Sequence, residues 1–404
     1  MSDHAPSWYA ASAQSMESLA SLSNDAHVDV CIIGAGMTGC SAALDLARKG
    51  YKVLVLEAES VAWGASGRSG GQFIHDYACG NHRLQKLVGI ADARQHWELS
   101  IEAIRLLKRR VTEHNIECDW REGYCALAIK PRQQKDLLAE QDFLQRHYHY
   151  HTDYWNAEQV RQQLQSSRYI AGLHDPISGH LHPLNYTLGL AKAALTAGAA
   201  IYEKSRVIRV EHGAKVRIKT ENATVTADFL ILAGNAYLGK LAPELDRKIM
   251  PVGTYIMATE PLGEQRAKTL IPNDLCLCDT NFVLDYFRRS SDHRLLFGGR
   301  VSYSRLEPVN LSQRLYQHMI RVFPQLSDVK PAYTWGGYVD ITMNRAPHFG
   351  RLKPNVYFAQ GFSGHGVALT GMAGRLMAEA ISGQAERFDL FARIPPVSYT
   401  HLTL

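Results

Sequence analysis

The chain has no run of 18 apolar residues, so no membrane-spanning helix is expected. Its first 24 residues are polar and rich in Ser and Ala, without the apolar centre of a secretory signal. Cysteine is sparse: seven residues, at 31, 40, 79, 118, 125, 276 and 278, with no Cys-x-x-Cys pair. That excludes a disulfide scaffold and suits a reducing compartment, so a cytoplasmic protein is expected. Blocks of one charge are also missing, because 44 basic residues are interleaved with 39 acidic ones. With no basic block and no RRM, zinc-finger or homeodomain pattern, nucleic acid is not an expected partner. Internal repeats are absent too. What remains is an ordinary globular composition, 46% hydrophobic and 21% charged, over 404 residues, enough for two or three domains.

Glycine, by contrast, is placed with purpose. The stretch Val28-Asp-Val-Cys-Ile-Ile-Gly-Ala-Gly-Met-Thr-Gly39 is an apolar strand, a glycine turn and a helix start, and Glu57 follows 18 residues after Gly39. Gly34 permits the tight turn, Gly36 lets backbone N–H groups approach a pyrophosphate, and Gly39 lets helix and strand pack closely. Glu57, at the end of a second strand over 52–57, can accept hydrogen bonds from a ribose. The helix start over 38–49 adds its positive end. A lone glycine motif is weak evidence, but here the whole βαβ context surrounds it.

Further along, Trp97, Ile101, Ile104, Leu107 and Val111 recur at helical spacing within 92–115 and read as a core-facing stripe. Helices are also expected over 133–147, 186–200 and 312–323, the last ended by Pro324. Short strands follow at 201–202, 206–210, 216–220 and 224–227. Asp228-Phe-Leu-Ile-Leu-Ala-Gly234 then reads as a buried parallel strand. Residues 282–289 and 294–300 read as a hairpin about a Ser-Ser-Asp-His turn. Residues 355–362 form a strand, and a turn leads to a helix running to Ile381 and closed by Gly383. Residues 1–26 form an arm that Trp8 and Tyr9 can dock. The dinucleotide domain is expected in three pieces, 27–79, 170–240 and 344–394. The pieces 80–169 and 241–343 form a substrate domain, and 395–404 an atypical tail.

Two more glycine segments point to a flavin. Gly64-Ala-Ser-Gly-Arg-Ser-Gly-Gly-Gln72 removes side chains from a surface on which a broad planar ring could lie, and Arg68 could neutralise a phosphate or a substrate carboxylate. Gly361-Phe-Ser-Gly-His-Gly-Val367 opens the last helix and would aim N–H groups at the N1–C2=O edge of a flavin, stabilising its reduced form.

Together with Tyr9-Ala-Ala-Ser12, Gly179-His-Leu-His-Pro-Leu-Asn185, Ala233-Gly-Asn-Ala-Tyr-Leu-Gly239, Leu284-Asp-Tyr286, Arg294-Leu-Leu296 and Ala385-Glu-Arg-Phe-Asp389, these segments resemble the D-amino-acid-oxidase-like FAD-dependent oxidoreductases, the family of glycine oxidase and sarcosine oxidase. The likeness runs from about residue 9 to about residue 394, and it extends to the bacterial gamma-glutamylputrescine oxidases. It implies an α/β fold: a Rossmann-like FAD-binding domain of the glutathione-reductase/D-amino-acid-oxidase type with an inserted mixed β-sheet substrate domain. It also implies oxidation of an amine C–N bond to an imine, with O2 giving H2O2, and later loss of ammonia. After Pro395-Pro396 the residues 397–404 differ from the family's tail, so the resemblance carries over no substrate contact from that tail.

The residues expected against FAD are Gly34, Ala35, Gly36, Met37, Thr38, Gly39, Glu57, Ala58, Gly64, Ala65, Ser66, Arg68, Ser69, Gly70, Gly71, Gln72, Val207, Ala233, Gly234, Asn235, Gly361, Phe362, Ser363, Gly364, His365, Gly366 and Val367. Tyr255, Tyr286, Trp335 and His365 are expected to line the substrate cavity, with His75 or Tyr77 near the ring. Arg288, Arg300 and Arg345 are candidate clamps for a substrate carboxylate, since a guanidinium meets a carboxylate bidentately. No metal is expected, because neither His147, His149 and His151 nor His180 and His182 supply converging ligands with support. Non-covalent FAD is expected, since no Cys or His stands out as an attachment point. The expected partners are a small amine and O2. A dehydrogenase with another electron acceptor, an oxidase of sarcosine, glycine or a D-amino acid, and a flavin module acting on tRNA are the competing readings. Oligomeric state is not legible.

Overall fold

A computed structural model describes residues 4–303 and 308–399. Helix α1 (Trp8–Ser12) precedes β1 (Ala26–Ile33), α2 (Met37–Arg48) and β2 (Val53–Leu56). A 3-10 turn at Ala65–Gly67 leads to β3 (Gln72–Phe73), α3 (Asn81–Val88) and α4 (Ile90–Glu113). Next come β4 (Arg121–Ala128), α5 (Pro131–Tyr148), β5 (Asp153–Asn156), α6 (Ala157–Gln163), β6 (Ala171–His180) and α7 (Pro183–Thr196). Then follow β7 (Ala200–Tyr202), β8 (Val207–Glu211), β9 (Val216–Thr220), β10 (Thr224–Leu232), α8 (Pro243–Asp246) and β11 (Ile249–Thr259). The chain continues through α9 (Glu264–Leu270), β12 (Cys276–Asp279), β13 (Tyr286–Arg289), β14 (Leu295–Ser302) and α10 (Leu311–Val322). It ends with β15 (Pro331–Thr342), β16 (His348–Lys353), β17 (Val356–Gln360), α11 (Gly366–Ile381) and α12 (Glu386–Ala392).

The first sheet runs β16-β17-β10-β1-β2-β7, with β9 and β8 added beyond β10. Its centre is parallel, and its strands are apolar on both faces because helices cover one face and a second core the other. The registers Ile33↔Leu56 and Ile33↔Leu232 end β2, β1 and β10 at one level. The crevice beyond the carboxyl ends of such strands is where an open α/β sheet takes a ligand.

The second sheet runs β15-β11-β14-β13-β12-β4-β6-β3, with β5 on β6. It is mixed, since β12 and β4 are parallel while the other pairs are antiparallel. Side chains alternate between its faces. Tyr255, Met257, Phe287 and Phe297 enter an outer core with Leu315 and Met319 of α10. Ile256, Ala258, Leu296 and Trp335 face inward and join the core of the first sheet.

Several sequence expectations need correction. Residues 171–180 were expected in the dinucleotide domain, but β6 pairs in the second sheet, as does β3. Alternating apolar residues define a strand without naming the sheet it joins. The first arm of the hairpin is shorter than expected. Asp279 accepts from the N–H groups of Asn281 and Asp285 and turns the chain there, leaving Phe282 82% exposed. The α4 stripe serves two cores: Ile104 and Leu107 join the main one, while Trp97 and Ile101 meet Phe143 and Leu144 of α5. The arm docks as expected, with Trp8 and Tyr9 buried against His182.

Candidate active site

Because β1, β2 and β10 end together, Gly34, Glu57 and Ala233 follow side by side. Gly34 has φ +106, and a Cβ there would sit 2.8 Å from the Ala233 carbonyl oxygen. Only glycine turns the chain under those two constraints. A Cβ on Gly39 would lie 1.9 Å from the Gly34 carbonyl oxygen, so the helix packs on the turn through bare backbone. Gly36 opens α2 with no side-chain cap, leaving the helix start to face a cleft. Ser66 Oγ accepts from the Met37 N–H at 3.0 Å and ties the second glycine segment to that start.

All four glycine-bearing segments line this one cleft. Gly34, Gly36, Met37 and Thr38 meet Glu57 and Ala58, then Gly64, Ala65, Ser66 and Ser69, with Val207, Ala233, Gly234 and Asn235. Phe362, Gly364, Gly366 and Val367 complete it from the turn before α11. The Glu57 carboxylate accepts from Ala35 N at 2.8 Å and Glu59 N at 2.9 Å, while burial pushes its pKa up. Ser69 Oγ is buried without a hydrogen-bond partner.

The remaining expected cofactor residues are not among those that line this cleft. Gly361 and Phe362 donate their N–H groups to the Asp340 carboxyl, the latter at 3.2 Å, and Ser363 N donates to the Asp340 carbonyl at 3.1 Å. Asp340 thus pins the turn before α11 to β15. Sequence reading missed it, because its partners lie more than 20 residues away. Burial pushes its carboxyl up to about 7 against those hydrogen bonds. Gln72 reaches from β3 to the Leu277 carbonyl at 3.4 Å.

The segment 64–71 forms a strap held from below. Gly71 has φ +73, and a Cβ there would strike the Leu181 carbonyl oxygen at 2.1 Å. Arg288, expected to clamp a substrate carboxylate, is 2% exposed and donates instead to Gly70 O at 2.8 Å, Leu181 O at 3.0 Å, Tyr9 Oη at 3.0 Å and Arg289 O at 3.1 Å. Trp335 donates from Nε1 to Arg68 O at 2.9 Å and meets Tyr9 edge-on. It too braces the strap. The Arg68 guanidinium stacks over Trp63 and donates to its carbonyl at 2.7 Å, so it is committed within the strap.

Beside the strap lies a second, enclosed crevice. Asp76, Tyr124, Tyr286 and His365 are each half-buried and keep accessible surface there. The Tyr286 ring lies over Gly298 and Gly70, where a Cβ would come within 2.0 and 2.8 Å of it. Tyr124 shares that inward face through the registers Tyr124↔Cys276 and Cys278↔Tyr286. His365, at the start of α11, lies near the Asp76 backbone, and burial pushes its pKa down to about 4, with His75 and Arg345 adding to the effect. His75 pairs with Asp175 at 2.9 Å. Burial opposes the charge of His75, but Asp175 outweighs it and the pKa rises. The same partnership holds Asp175 below the usual carboxylate range.

Two expected cavity residues point elsewhere. Tyr255 lies on the outer face with Met257, since it pairs with Gly299 while Ile256 pairs with the inward Gly298. Tyr77 donates to the His96 carbonyl at 2.8 Å and packs on Phe391. Arg345 has φ +59, lies over the exposed Phe282 ring at 5.7 Å and acts electrostatically on His365. The Arg300 side chain lies outside the described residues. Tyr124 and Asp76 were missed. The strand alternation around Tyr124 was readable, but nothing local marks Asp76.

The paired histidines have structural partners. His182 Nδ1 accepts from Asn185 N at 3.1 Å as the cap of α7, and His180 Nε2 bonds the Asp274 carbonyl at 2.8 Å. His147 packs on Phe143, and His151 pairs with Asp153 at 3.1 Å. Among the described residues no three His, Cys, Asp or Glu side chains group as a metal site, and no helix is long and apolar enough to cross a membrane. All seven cysteines are free thiols.

The family model described as FAD dependent oxidoreductase (DAO) matches residues 29–380. The chain belongs to the DAO family. Its cofactor is FAD. A Haemophilus influenzae protein named probable oxidoreductase OrdL is 44% identical over 403 residues, covering 98% of this chain and 93% of its own. Escherichia coli gamma-glutamylputrescine oxidoreductase is 40% identical over 396 residues, covering 98% and 93%. Among solved structures, glycine oxidase from Geobacillus kaustophilus aligns with a TM-score of 0.78 at 18% identity, covering 93% of this chain and all of that one, a likeness of fold. The protein is therefore a DAO-family flavoenzyme, and the cleft fits FAD on its own terms. A Cβ on Gly36 would crowd Ser66 Oγ at 2.8 Å, Gly36 itself offers α2 no capping side chain, and Ser69 Oγ lacks a partner.

Proposed function

We propose that this DAO-family enzyme oxidises the primary amine of gamma-glutamylputrescine in cytoplasmic putrescine catabolism. The amine becomes an imine as O2 becomes H2O2, and water then releases the aldehyde and ammonia. The observation that carries this reading is the 40% identity, over 98% of the chain, to the Escherichia coli protein of that name.

In this reading the Gly34–Thr38 turn and the α2 start hold the FAD pyrophosphate, and Glu57 holds a ribose. The strap and the turn before α11 hold the ring, non-covalently. FAD supplies the two-electron acceptor for the substrate C–H bond. The protein need only bind the amine, orient its α-carbon and exclude water. Tyr286, Tyr124 and His365 shape that crevice. Arg345 meets a carboxylate far from the reacting amine. The geometry supports an amine over an α-amino acid, because Arg288, on the inward face, is already committed to Gly70, Leu181, Tyr9, Arg289 and His180.

A peroxide-coupled assay in air, with gamma-glutamylputrescine beside putrescine, sarcosine, glycine and D-alanine, tests the proposal. Preference for gamma-glutamylputrescine with peroxide supports it. Flavin bleaching without peroxide would replace O2 by another acceptor, and preference for an amino acid would overturn the substrate. A yellow supernatant after acid precipitation is expected for non-covalent FAD.

A further inference from the structure

Asp76 has no task in the scheme above. It follows the strap and β3, and its backbone lies near the His365 ring. Among the described residues its carboxyl hydrogen-bonds only the Tyr77 N–H and forms no ion pair. The charged groups that act on it are Glu140, which repels it, and His75, whose Nε2 is already ion-paired with Asp175 at 2.9 Å. An enclosed carboxylate without a cation is costly, and here burial lifts its pKa to about 7.

The crevice holds a second unsatisfied feature. His75 is 7% exposed, and its Nδ1 is buried without a hydrogen-bond partner. His365 Nδ1 is likewise buried and unpartnered, while burial keeps that imidazole neutral near pH 7, so its lone pair can accept a hydrogen bond. Asp76 and His365 meet through the Asp76 backbone, so an acid without an ion pair and an imidazole with a free acceptor belong to neighbouring residues. A group carrying positive charge and several N–H donors satisfies both.

We propose that Asp76 receives the ammonium group of the substrate and makes this crevice select an amine over an α-amino acid. The assignment rests on the amine reading above. One ammonium N–H goes to the Asp76 carboxylate, which takes that proton before the neutral amine is oxidised, and a second goes to His365 Nδ1. An α-carboxylate on the reacting carbon would be brought against Asp76 and repelled, so the same group attracts one class and rejects the other. Arg345 then serves a carboxylate at the far end of a long substrate.

The test uses the FAD-loaded protein and perturbation of the flavin absorbance by two ligands that cannot be oxidised there, tert-butylammonium and acetate. Asp76→Asn is expected to weaken tert-butylammonium by about 30-fold and to leave acetate unchanged or tighter. Equal tert-butylammonium affinity in both proteins would overturn the proposal. Should the variant fail to load FAD, the native protein still decides. Tighter binding of tert-butylammonium than acetate supports Asp76, and the reverse order overturns it. The two readings fail separately. Cation binding that depends on Asp76, without flavin reduction by gamma-glutamylputrescine, removes the substrate but keeps Asp76. Reduction by that substrate with unaltered cation binding in Asp76→Asn does the opposite.

Discussion

The two sheets that meet at this site are built on opposite plans. The first presents backbone: Gly34, Gly36 and Gly39 clear a surface, and strand ends and a helix start supply the polarity. The second presents side chains: Tyr124 and Tyr286 face the crevice from alternate positions, while Tyr255 and Phe287 fill an outer core. A cofactor common to a whole family is held by what every residue shares, and a particular substrate by what distinguishes residues. The comparison predicts that damage to the first sheet abolishes FAD binding, whereas changes to the second are graded and depend on which face they touch.

The largest effect is expected from Gly39→Ala. Its Cβ would lie 1.9 Å from a backbone oxygen that has no room to move, so the protein should be isolated colourless, with FAD affinity down by roughly 100-fold or more. Retained yellow colour would break the comparison at its first term. Next comes Arg288→Gln, which strands the Gly70 and Leu181 carbonyls. Thermal unfolding should report a loss of roughly 2–4 kcal/mol together with weaker FAD binding.

Asp175→Asn sharpens the account through pH. His75 has its pKa raised in the folded protein, so its contribution is full below its unfolded value of 6.5 and is lost as pH rises beyond it. Asp175 is depressed, so its contribution is present above 3.8 and lost in more acidic solution. Tm of the native protein should fall as pH rises above 6.5, and in Asp175→Asn that dependence should flatten. An unchanged slope would detach His75 from Asp175. The smallest effect belongs to Tyr255→Phe. From the outer face it should change flavin reduction by less than about 2-fold, and a larger loss would return Tyr255 to the crevice.

These contrasts also explain what the sequence could reveal. Glycine constraints are local, so the turn at 34–39, the strap and the start of α11 were readable from spacing alone. Side-chain direction is not local. Tyr255 and Tyr286 are both tyrosines on inner strands, and only the pairing of β11 with β14, with its shift between Thr254 and Tyr255, sends one outward. Arg288 was the right residue type for a carboxylate, but its acceptors lie 218 and 279 residues away in the chain, at Gly70 and Tyr9. Residues 171–180 were readable as a strand, while the sheet they join is decided by partners at 121–128 and 72–73. Asp76 and Asp340 carry no local signature, because what singles them out is what surrounds them.

The most direct test is an anaerobic titration of the FAD-loaded protein, following the flavin absorbance with gamma-glutamylputrescine and, separately, with glycine. The account predicts stoichiometric bleaching by gamma-glutamylputrescine and none by glycine over the same interval. Bleaching by glycine at a comparable rate would contradict it, since a crevice that accepts an α-carboxylate cannot be the amine-selecting one described here.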